Sequence, residues 1–228
     1  MFLTFGVDAQ TDSLHVNSVS QKLTAFYTES LYTEAPIYRG KIYYKYPFKI
    51  TNNGHTYFLE DKFIKGTIQY DGKFYSEINL LYDILLDQLV LRYLDNYSSI
   101  ILLQENVSNF SILNYDFINI RDSKNPSLMP NGYYNSLYKS GNVLLLAKRS
   151  KTVKKSVESG AVIYNVLPVD TYFVLKDGAV EKANNKKAFL KQFKRAGNQQ
   201  YLKSKNLSYR KDRENWIIAL AKYYDTKI

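Results

Sequence analysis

The sequence contains no cysteine and only two histidines, His15 and His55, among its 228 residues. Without thiols the chain can form no disulfide, no thiolate metal site and no cysteine nucleophile. Histidine chemistry would have to use one of the two imidazoles. His55 follows Asn53-Gly54, a dipeptide typical of turns, so we expect it to be a solvated loop residue. We therefore predict neither a metal site nor a cofactor.

Long apolar runs and phosphate-binding loops are also missing. The longest apolar stretch, LLYDILLDQLVLRYL, is interrupted by Asp83, Asp87 and Arg92, and it does not reach the roughly 18 apolar residues that a membrane-spanning helix needs. The sequence has no G-x-x-x-x-G-K-[ST] motif and no G-x-G-x-x-G after a strand pattern. These absences disfavour a transmembrane segment and nucleotide-dependent enzymology.

Aromatic residues are abundant, with 22 Tyr and 12 Phe. Such residues suit the half-buried surface of a β-sheet. Two Asp-Gly dipeptides, Asp71-Gly72 and Asp177-Gly178, each lie between short β-type runs. Asp-Gly is the turn chemistry that a tight hairpin requires. The pattern predicts hairpins that join residues 67–70 to 73–75 and residues 172–175 to 179–181.

Other β-type runs complete a predicted antiparallel meander. The further predicted strands are residues 42–46, 57–59, 100–103, 117–120, 133–138, 143–147 and 162–166. The stretch 80–94 is ambiguous, because its apolar content fits either a helix or two strands with a turn near Leu86-Asp87. We favour two strands. Residues 121–132 contain two prolines and Asn131-Gly132, so we predict a loop there.

The pattern changes to a helical period after Asn184. NNKKAFLKQF is typical of a short helix capped by asparagine, and NQQYLKSKN predicts a second helix. A third predicted helix places Ile217, Leu220, Ala221 and Tyr224 on one apolar stripe, beside a Trp216 that we expect to be buried. The prediction is an α+β fold. An antiparallel β-rich body at residues 11–183, built as a sheet, sandwich or partial barrel, precedes a small basic helical cap at residues 184–228.

Positive charge is concentrated in the C-terminal part. Residues 1–138 contain 11 Lys+Arg and 14 Asp+Glu, whereas residues 139–228 contain 20 and 7, so the two parts carry −3 and +13 of the net +10. Such a surface can bind an anionic partner. The candidate binding residues are Lys148, Arg149, Lys151, Lys154, Lys155, Lys187, Lys191, Lys194 and Arg195.

The stretch IYYKYPF supplies an aromatic candidate. On a strand, alternation would place Tyr43 with Lys45 on one face and Tyr44 with Tyr46 on the other. The candidate platform of Tyr43, Tyr44 and Tyr46 could bind sugar or peptide, although ordinary cross-strand packing explains the same residues and is favoured.

The chain opens with MFLTFGVDAQ. Residues 2–7 are typical of the apolar part of a secretory signal, and Val7-Asp8-Ala9 fits a cleavage site before Gln10. The basic start of such a signal is missing, so residues 1–10 are either a signal-peptide remnant or a disordered start. We favour the remnant and predict export.

Four segments across residues 57–225 form a recognisable series. They are FLEDKFIKGTIQYDGKFYSEINLLYDILLDQLVL, GYYNSLYKSGNVLLLAKRSKTV, DTYFVLKDGAVEKANNKKAFLKQF and YLKSKNLSYRKDRENWIIALAKYYD. Together they resemble a family of uncharacterised exported proteins common in Bacteroidetes-type bacteria. The resemblance implies export, a β-rich body in which NLLYDILLDQLVL is a strand pair, and a basic helical C-terminus. It implies no catalytic residue.

These features together predict a non-enzymatic binding or scaffold protein of the bacterial envelope, periplasmic or associated with the outer membrane. Its basic C-terminal half would contact an anionic envelope surface or an envelope protein complex. One alternative is a glycan hydrolase that uses carboxylates from Asp83 with Asp87 or Glu60 with Asp61, but turn formation explains these aspartates more simply. A cytoplasmic nucleic-acid-binding protein is the other alternative, provided that the N-terminus is not a signal and is retained. It is disfavoured because aromatic side chains are sparse in the most basic region.

Overall fold

The computed structural model describes residues 35–48, 50, 54–141, 143–158 and 160–225. The chain divides into two compact units, Met1–Arg39 and Gly40–Ile228. In the first unit the described residues contain a short 3-10 turn at Pro36–Tyr38. The predicted signal remnant at residues 1–10 and His15 lie outside the described residues.

The second unit is built mainly from one antiparallel sheet of 11 strands. The strands described in this unit are β1 (Lys41–Ile42), β2 (Ile64–Tyr70), β3 (Lys73–Asp83), β4 (Gln88–Arg92), β5 (Ser99–Ile101), β6 (Val107–Ile112), β7 (Tyr115–Ile120), β8 (Gly132–Ser140), β9 (Val143–Lys148), β10 (Lys151–Glu158), β11 (Ala161–Pro168), β12 (Thr171–Lys176) and β13 (Ala179–Lys182). The order across the sheet is β1-β5-β4-β3-β2-β6-β7-β8-β9-β12-β13, and β10 and β11 form a separate two-stranded sheet. The predicted antiparallel, β-rich body is confirmed.

Both Asp-Gly hairpins are present. Tyr70 pairs with Lys73 across the first turn, and Lys176 pairs with Ala179 across the second. The central residues of each turn have positive φ angles, 50° and 74° at Asp71-Gly72 and 51° and 78° at Asp177-Gly178. Two successive positive φ angles define the turn whose twist matches that of the flanking strands. The region 80–94 also forms two strands, β3 and β4, joined by a turn, as predicted.

Two predicted strands are wrong. The strand expected at residues 42–46 ends at Ile42, and beyond it a single backbone hydrogen bond, from the Tyr43 amide to the Ser99 carbonyl at 2.8 Å, continues towards β5. The strand expected at residues 57–59 is reduced to a single bridge between Tyr57 and Asp83. In both places the aromatic residues pack through their rings and hydroxyl groups, so a composition typical of strands does not produce regular hydrogen bonding between strands.

Two strands were not predicted. In β6, Val107 pairs with Tyr70 and Asn109 pairs with Gln69, so the register shifts and the two-residue alternation is broken. β10 has the sequence KTVKKSVE, in which three lysines interrupt the pattern of β-forming residues, so the sequence resembles a charged cluster. It pairs with β11 over eight residue pairs, from Lys151 with Pro168 to Glu158 with Ala161.

The large sheet curls around an aromatic core. Strands β3 and β8 are four positions apart in the sheet, which would separate them by roughly 19 Å if the sheet were flat. The ring centroids of Tyr82 in β3 and Tyr133 in β8 are nevertheless only 5.7 Å apart. Phe110 and Phe117 fill the enclosed space, with centroids 5.2 Å from Tyr133 and 5.1 Å from Tyr82 respectively. Burial of each such ring contributes about 1.5–3 kcal/mol.

Three helices near the C-terminus of the described chain pack on one part of the sheet. They are α1 (Lys186–Gln192), α2 (Asn198–Ser204) and α3 (Arg213–Asp225). The predicted asparagine cap is present, since the Asn185 side chain accepts a hydrogen bond from the Ala188 amide at 2.9 Å. The shared core consists of Val143, Leu145, Ala147, Tyr172, Val174, Ala183, Phe189, Phe193, Leu202, Trp216, Ile217, Leu220 and Ala221. Trp216 is buried as expected. The α+β fold is confirmed, and none of the helices described here is long and apolar enough to cross a membrane.

Candidate functional site

The first basic cluster, at residues 148–155, contains side chains that face solvent and side chains that face the protein interior. Lys154 and Lys155 of β10 are exposed, whereas Lys148, Arg149 and Lys151 are engaged in contacts within the protein. Only the first two therefore present their charge freely at the surface. Substitution of Lys148, Arg149 or Lys151 would therefore remove contacts within the protein.

Arg149 is the centre of a buried ionic network that joins the cap to the sheet. Its guanidinium donates to Asp170 at 2.8 Å and to both carboxylate oxygens of Glu214 in α3, including 2.9 Å from Nη2 to Oε2. The Nε and Nη2 groups also donate to the side-chain oxygen of Asn135. Burial opposes the charge of Arg149, but the hydrogen bonds and charges of the two carboxylates raise its pKa above the ordinary value. Arg149 is thus a structural anchor.

Lys148 is paired with Asp87 and also donates to the Tyr133 carbonyl at 3.1 Å. Asp87 accepts two further hydrogen bonds, at 2.6 Å from the Tyr82 hydroxyl and at 3.3 Å from the Tyr133 amide. Burial lowers the pKa of Lys148, although Asp87 opposes that shift. These contacts hold the β3–β4 turn against strands β8 and β9, at the place where the sheet curls.

Lys151 fixes the irregular segment around His55. Its ammonium group donates to the carbonyls of His55 and Tyr57, each at 2.7 Å, and lies 3.4 Å from His55 Nδ1. Partial burial and the neighbouring ammonium lower the pKa of His55. The loop location predicted for His55 is confirmed, but its ring is partly covered and does not lie free in solvent.

The second basic cluster, at residues 187–195, is more exposed than the first. Lys187, Lys191 and Lys194 are exposed, and we call them the basic cap face. Lys187 and Lys191 lie one turn apart on α1, while Phe189 points into the core. In the part of the chain that the structure describes, none of these three ammonium groups is paired with a carboxylate.

Arg195 has a different role from its lysine neighbours. It donates to the carbonyls of Tyr223 and Tyr224, at 3.0 Å and 2.7 Å. These carbonyls belong to the last turn of α3, where a cation is favoured by the helix dipole and satisfies free acceptors. Arg195 therefore helps to end α3 and links it to the loop after α1.

Of the three tyrosines of the candidate platform, two bind one buried carboxylate and the third does not. Tyr43 and Tyr46 donate their hydroxyl groups to Asp83 Oδ2, at 2.9 Å and 2.7 Å. Burial and the Asp83 carboxylate raise the pKa of both phenols. Tyr44 instead points outward and is 79% exposed. The predicted pairing of Tyr44 with Tyr46 is wrong, because the backbone is no longer a strand after Ile42 and its side chains do not alternate.

Tyr43 and Tyr44 both line a pocket of about 510 Å³, which we call the aromatic pocket. The other lining residues are Ile42, Lys45, Tyr57, Asp61, Lys62, Phe63, Leu81, Arg92, Tyr97, Ser98 and Ser99. The guanidinium of Arg92 stacks on Phe63, 3.9 Å from the ring centroid. Sequence reasoning missed Phe63, Arg92 and Tyr97, since strand pairing of β1 with β5 and β5 with β4 is what brings them beside Tyr43.

Of the carboxylates proposed for hydrolysis, Glu60 is paired with Lys62 and Asp61 lines the aromatic pocket, whereas Asp83 and Asp87 are engaged in contacts inside the protein. Asp83 is fully buried and also accepts from the Leu85 amide at 3.0 Å, and Asp87 is paired with Lys148. Two other carboxylates, Asp170 and Glu214, line a second pocket of about 440 Å³. Burial opposes ionisation of Glu214, but Arg149 outweighs that effect and lowers its pKa. A catalytic acid of a glycosidase needs the opposite shift.

Comparisons of the chain with protein-family models, with curated proteins and with solved structures find no match.

Proposed function

We propose that this protein is a non-enzymatic binding or scaffold component of the bacterial envelope, which contacts an anionic surface or protein partner through its basic cap face. The observation that carries this proposal is the exposure of Lys187, Lys191 and Lys194 without carboxylate partners among the described residues. Exposed charges of one sign attract a partner of the opposite sign and accelerate association.

The local composition strengthens the argument. Residues 186–225 contain eleven Lys+Arg and three Asp+Glu, a difference of +8. All three acidic side chains are occupied within the protein. Glu214 binds Arg149, Asp225 accepts the Tyr138 hydroxyl at 2.7 Å, and Asp212 accepts from the Asn215 side chain at 2.7 Å. The acids are thus used in local contacts, while most of the lysines face solvent.

The envelope part of the proposal rests on the predicted export of the chain. It depends on the apolar residues 2–7, on the cleavage pattern before Gln10 and on the family resemblance. An envelope location would place the protein among anionic lipids and polysaccharides, which are suitable partners for exposed lysines.

A vesicle-binding measurement tests the role of the basic cap face. The variant Lys187→Glu/Lys191→Glu/Lys194→Glu should bind vesicles of phosphatidylcholine and phosphatidylglycerol at least about tenfold more weakly than the wild type, because each lysine near an anionic surface contributes about 1 kcal/mol. Cosedimentation at low and high salt gives the affinity and its salt dependence. Pure phosphatidylcholine vesicles provide the uncharged comparison.

The matched control is Lys41→Glu/Lys73→Glu/Lys124→Glu, which changes three exposed lysines elsewhere and gives the same net charge. It should retain most of the binding. Equal losses in both variants would mean that net charge alone acts, and would contradict a defined face.

Affinity purification from lightly crosslinked native cells tests the location and the partner. We expect the recovered chain to begin at Gln10 and to be accompanied by envelope components. A free protein that retains Met1 would overturn export. A protein partner whose recovery fails with the cap variant but not with the control would identify the scaffold role.

A further inference from the structure

The aromatic pocket shares no residue with the basic cap face. Its volume of about 510 Å³ falls within the range of small-ligand sites. We infer that this pocket binds an oligosaccharide that carries a carboxylate, such as one built from uronic acids. This second binding site is independent of the cap, so either proposal can fail without the other.

Two exposed rings provide the surface for a sugar. Tyr44 is 79% exposed and Tyr97 is 90% exposed, although both line a concave site. Planar rings of this size bury much area at a small cost in side-chain entropy, and the phenol end remains able to form hydrogen bonds. The C–H face of a pyranose ring matches such a surface, since its hydroxyl groups project sideways and can stay solvated.

The walls of the pocket are held in place before any ligand arrives. The hydroxyl group of Tyr43 is fixed by hydrogen bonds to Asp83 at 2.9 Å and to Tyr57 at 3.3 Å. The Tyr97 backbone is fixed at both ends, because its amide donates to Asp95 at 2.8 Å and its carbonyl accepts from Arg92 at 3.3 Å. Such preorganisation lowers the entropy cost of binding.

The charges of the pocket favour an acidic sugar. Arg92 lies with its guanidinium face on Phe63, which leaves N–H groups at its edge able to bind a carboxylate. Among the described residues Arg92 forms no salt bridge, although its charge interacts with that of the nearby Asp95, whereas Lys62 is paired with Glu60 at 3.3 Å. Lys45 adds an exposed cation to the half-buried Arg92, and Asp61 and Ser99 can contact sugar hydroxyl groups.

Calorimetric titration of the full chain tests the inference with oligogalacturonate, oligoguluronate and hyaluronan fragments. Neutral galactotriose is the uncharged comparison. We expect at least one acidic probe to bind with a dissociation constant below about 1 mM, a free energy of about −4 kcal/mol. Tyr44→Ala and Tyr97→Ala should each weaken that binding about fivefold or more, since they remove one stacking surface. Arg92→Gln should remove the preference for the acidic probe over the neutral one.

Phe74→Ala is the matched control, because Phe74 is a 66% exposed aromatic residue that does not line the pocket. It should bind the acidic probe as the wild type does, and so should the triple cap variant. The proposal is overturned if no acidic probe binds at millimolar concentration, if galactotriose binds equally well, or if both tyrosine variants bind like Phe74→Ala. Unchanged circular dichroism spectra would exclude misfolding as the cause of any loss.

Discussion

At the residue scale, Asp83 shows how one buried carboxylate organises two parts of the chain. Its Oδ1 atom accepts from the amides of Leu85 and Leu86, which forms the turn after β3. Its Oδ2 atom accepts the hydroxyl groups of Tyr43 and Tyr46, which lie about 40 residues earlier. A buried charge is tolerated when it receives several hydrogen bonds. Asp83 therefore holds the segment after β1 against the sheet and supports one wall of the aromatic pocket.

Asp83→Asn tests this role with little change in size. The amide can accept from only one of the two donor pairs and places its own N–H groups against the other. We expect the free energy of unfolding to fall by about 1.5–3 kcal/mol, measured by urea denaturation, because bonds to a charged acceptor are lost. Asp122→Asn, at an exposed site, should have no comparable effect. Equal stability of the two variants would show that Asp83 is not needed for the fold.

At the scale of the elements, the Asp-Gly turns decide where the two hairpins form. Gly178 has a φ angle of 78°, and a Cβ atom there would meet no atom within 4 Å. Any cost of a side chain at Gly178 is therefore conformational and not steric crowding. The neighbouring strands β12 and β13 end the large sheet on one side, so the turn also sets the register of an edge strand.

Substitutions at Gly178 separate backbone conformation from packing. Gly178→Ala should lower the free energy of unfolding by about 1–2 kcal/mol, the cost of a left-handed conformation for an ordinary residue. Gly178→Asn should cost less, because asparagine adopts this conformation more readily. Chemical denaturation of both variants measures the difference. An alanine variant as stable as the wild type would argue against the positive φ angle at this position.

The β10–β11 hairpin shows the limit of element prediction. Residues 162–166 were expected to form a strand, and they lie within β11. The sequence of their partner β10 indicates only a basic cluster, since four of its eight residues carry charge. A strand that belongs to a separate two-stranded sheet need not show an alternating apolar pattern, because neither of its faces has to be fully buried.

At the scale of the whole molecule, we expect the attachment of the cap to depend on pH through the Arg149 network. Arg149 lowers the pKa of Glu214 below its ordinary value of 4.5, so the folded state favours the charged form. This stabilisation is fully present above pH 4.5 and is lost as the pH falls through the lowered pKa. His55 acts earlier. Its pKa is lowered below 6.5, so acidification below pH 6.5 favours the unfolded state, in which the imidazole binds a proton more readily.

Urea denaturation between pH 8 and pH 3 should therefore show two successive losses of stability on acidification. His55→Gln should remove the part of the loss that begins near pH 6.5. Glu214→Gln should lower stability at neutral pH and reduce the loss below pH 4.5, because its side chain no longer titrates. Glu181→Gln, at an exposed position of β13, serves as the control for loss of one carboxylate. An unchanged profile in Glu214→Gln would contradict the coupling of Glu214 to folding.

The sequence by itself determined the features that depend on neighbouring residues. Asp-Gly dipeptides predicted both hairpins, Asn185 and the spacing from Ile217 to Tyr224 predicted helices, and composition located the positive charge. Turn conformation, helix capping and periodicity are short-range effects, so they can be read from adjacent residues.

Tertiary structure alone decided which charged and aromatic side chains remain available. Lys148 and Arg149 occur in the same basic run as Lys154, yet the curl of the sheet and the docking of α3 bring Asp87 and Glu214 to the first two. Similarly, Tyr43 is held by Asp83 while Tyr44 points outward, and strand order places Arg92 and Tyr97 beside them. The two ion pairs join residues 61 and 65 positions apart, and the Tyr43–Asp83 hydrogen bond joins residues 40 positions apart, so all three contacts depend on the packing of the complete fold.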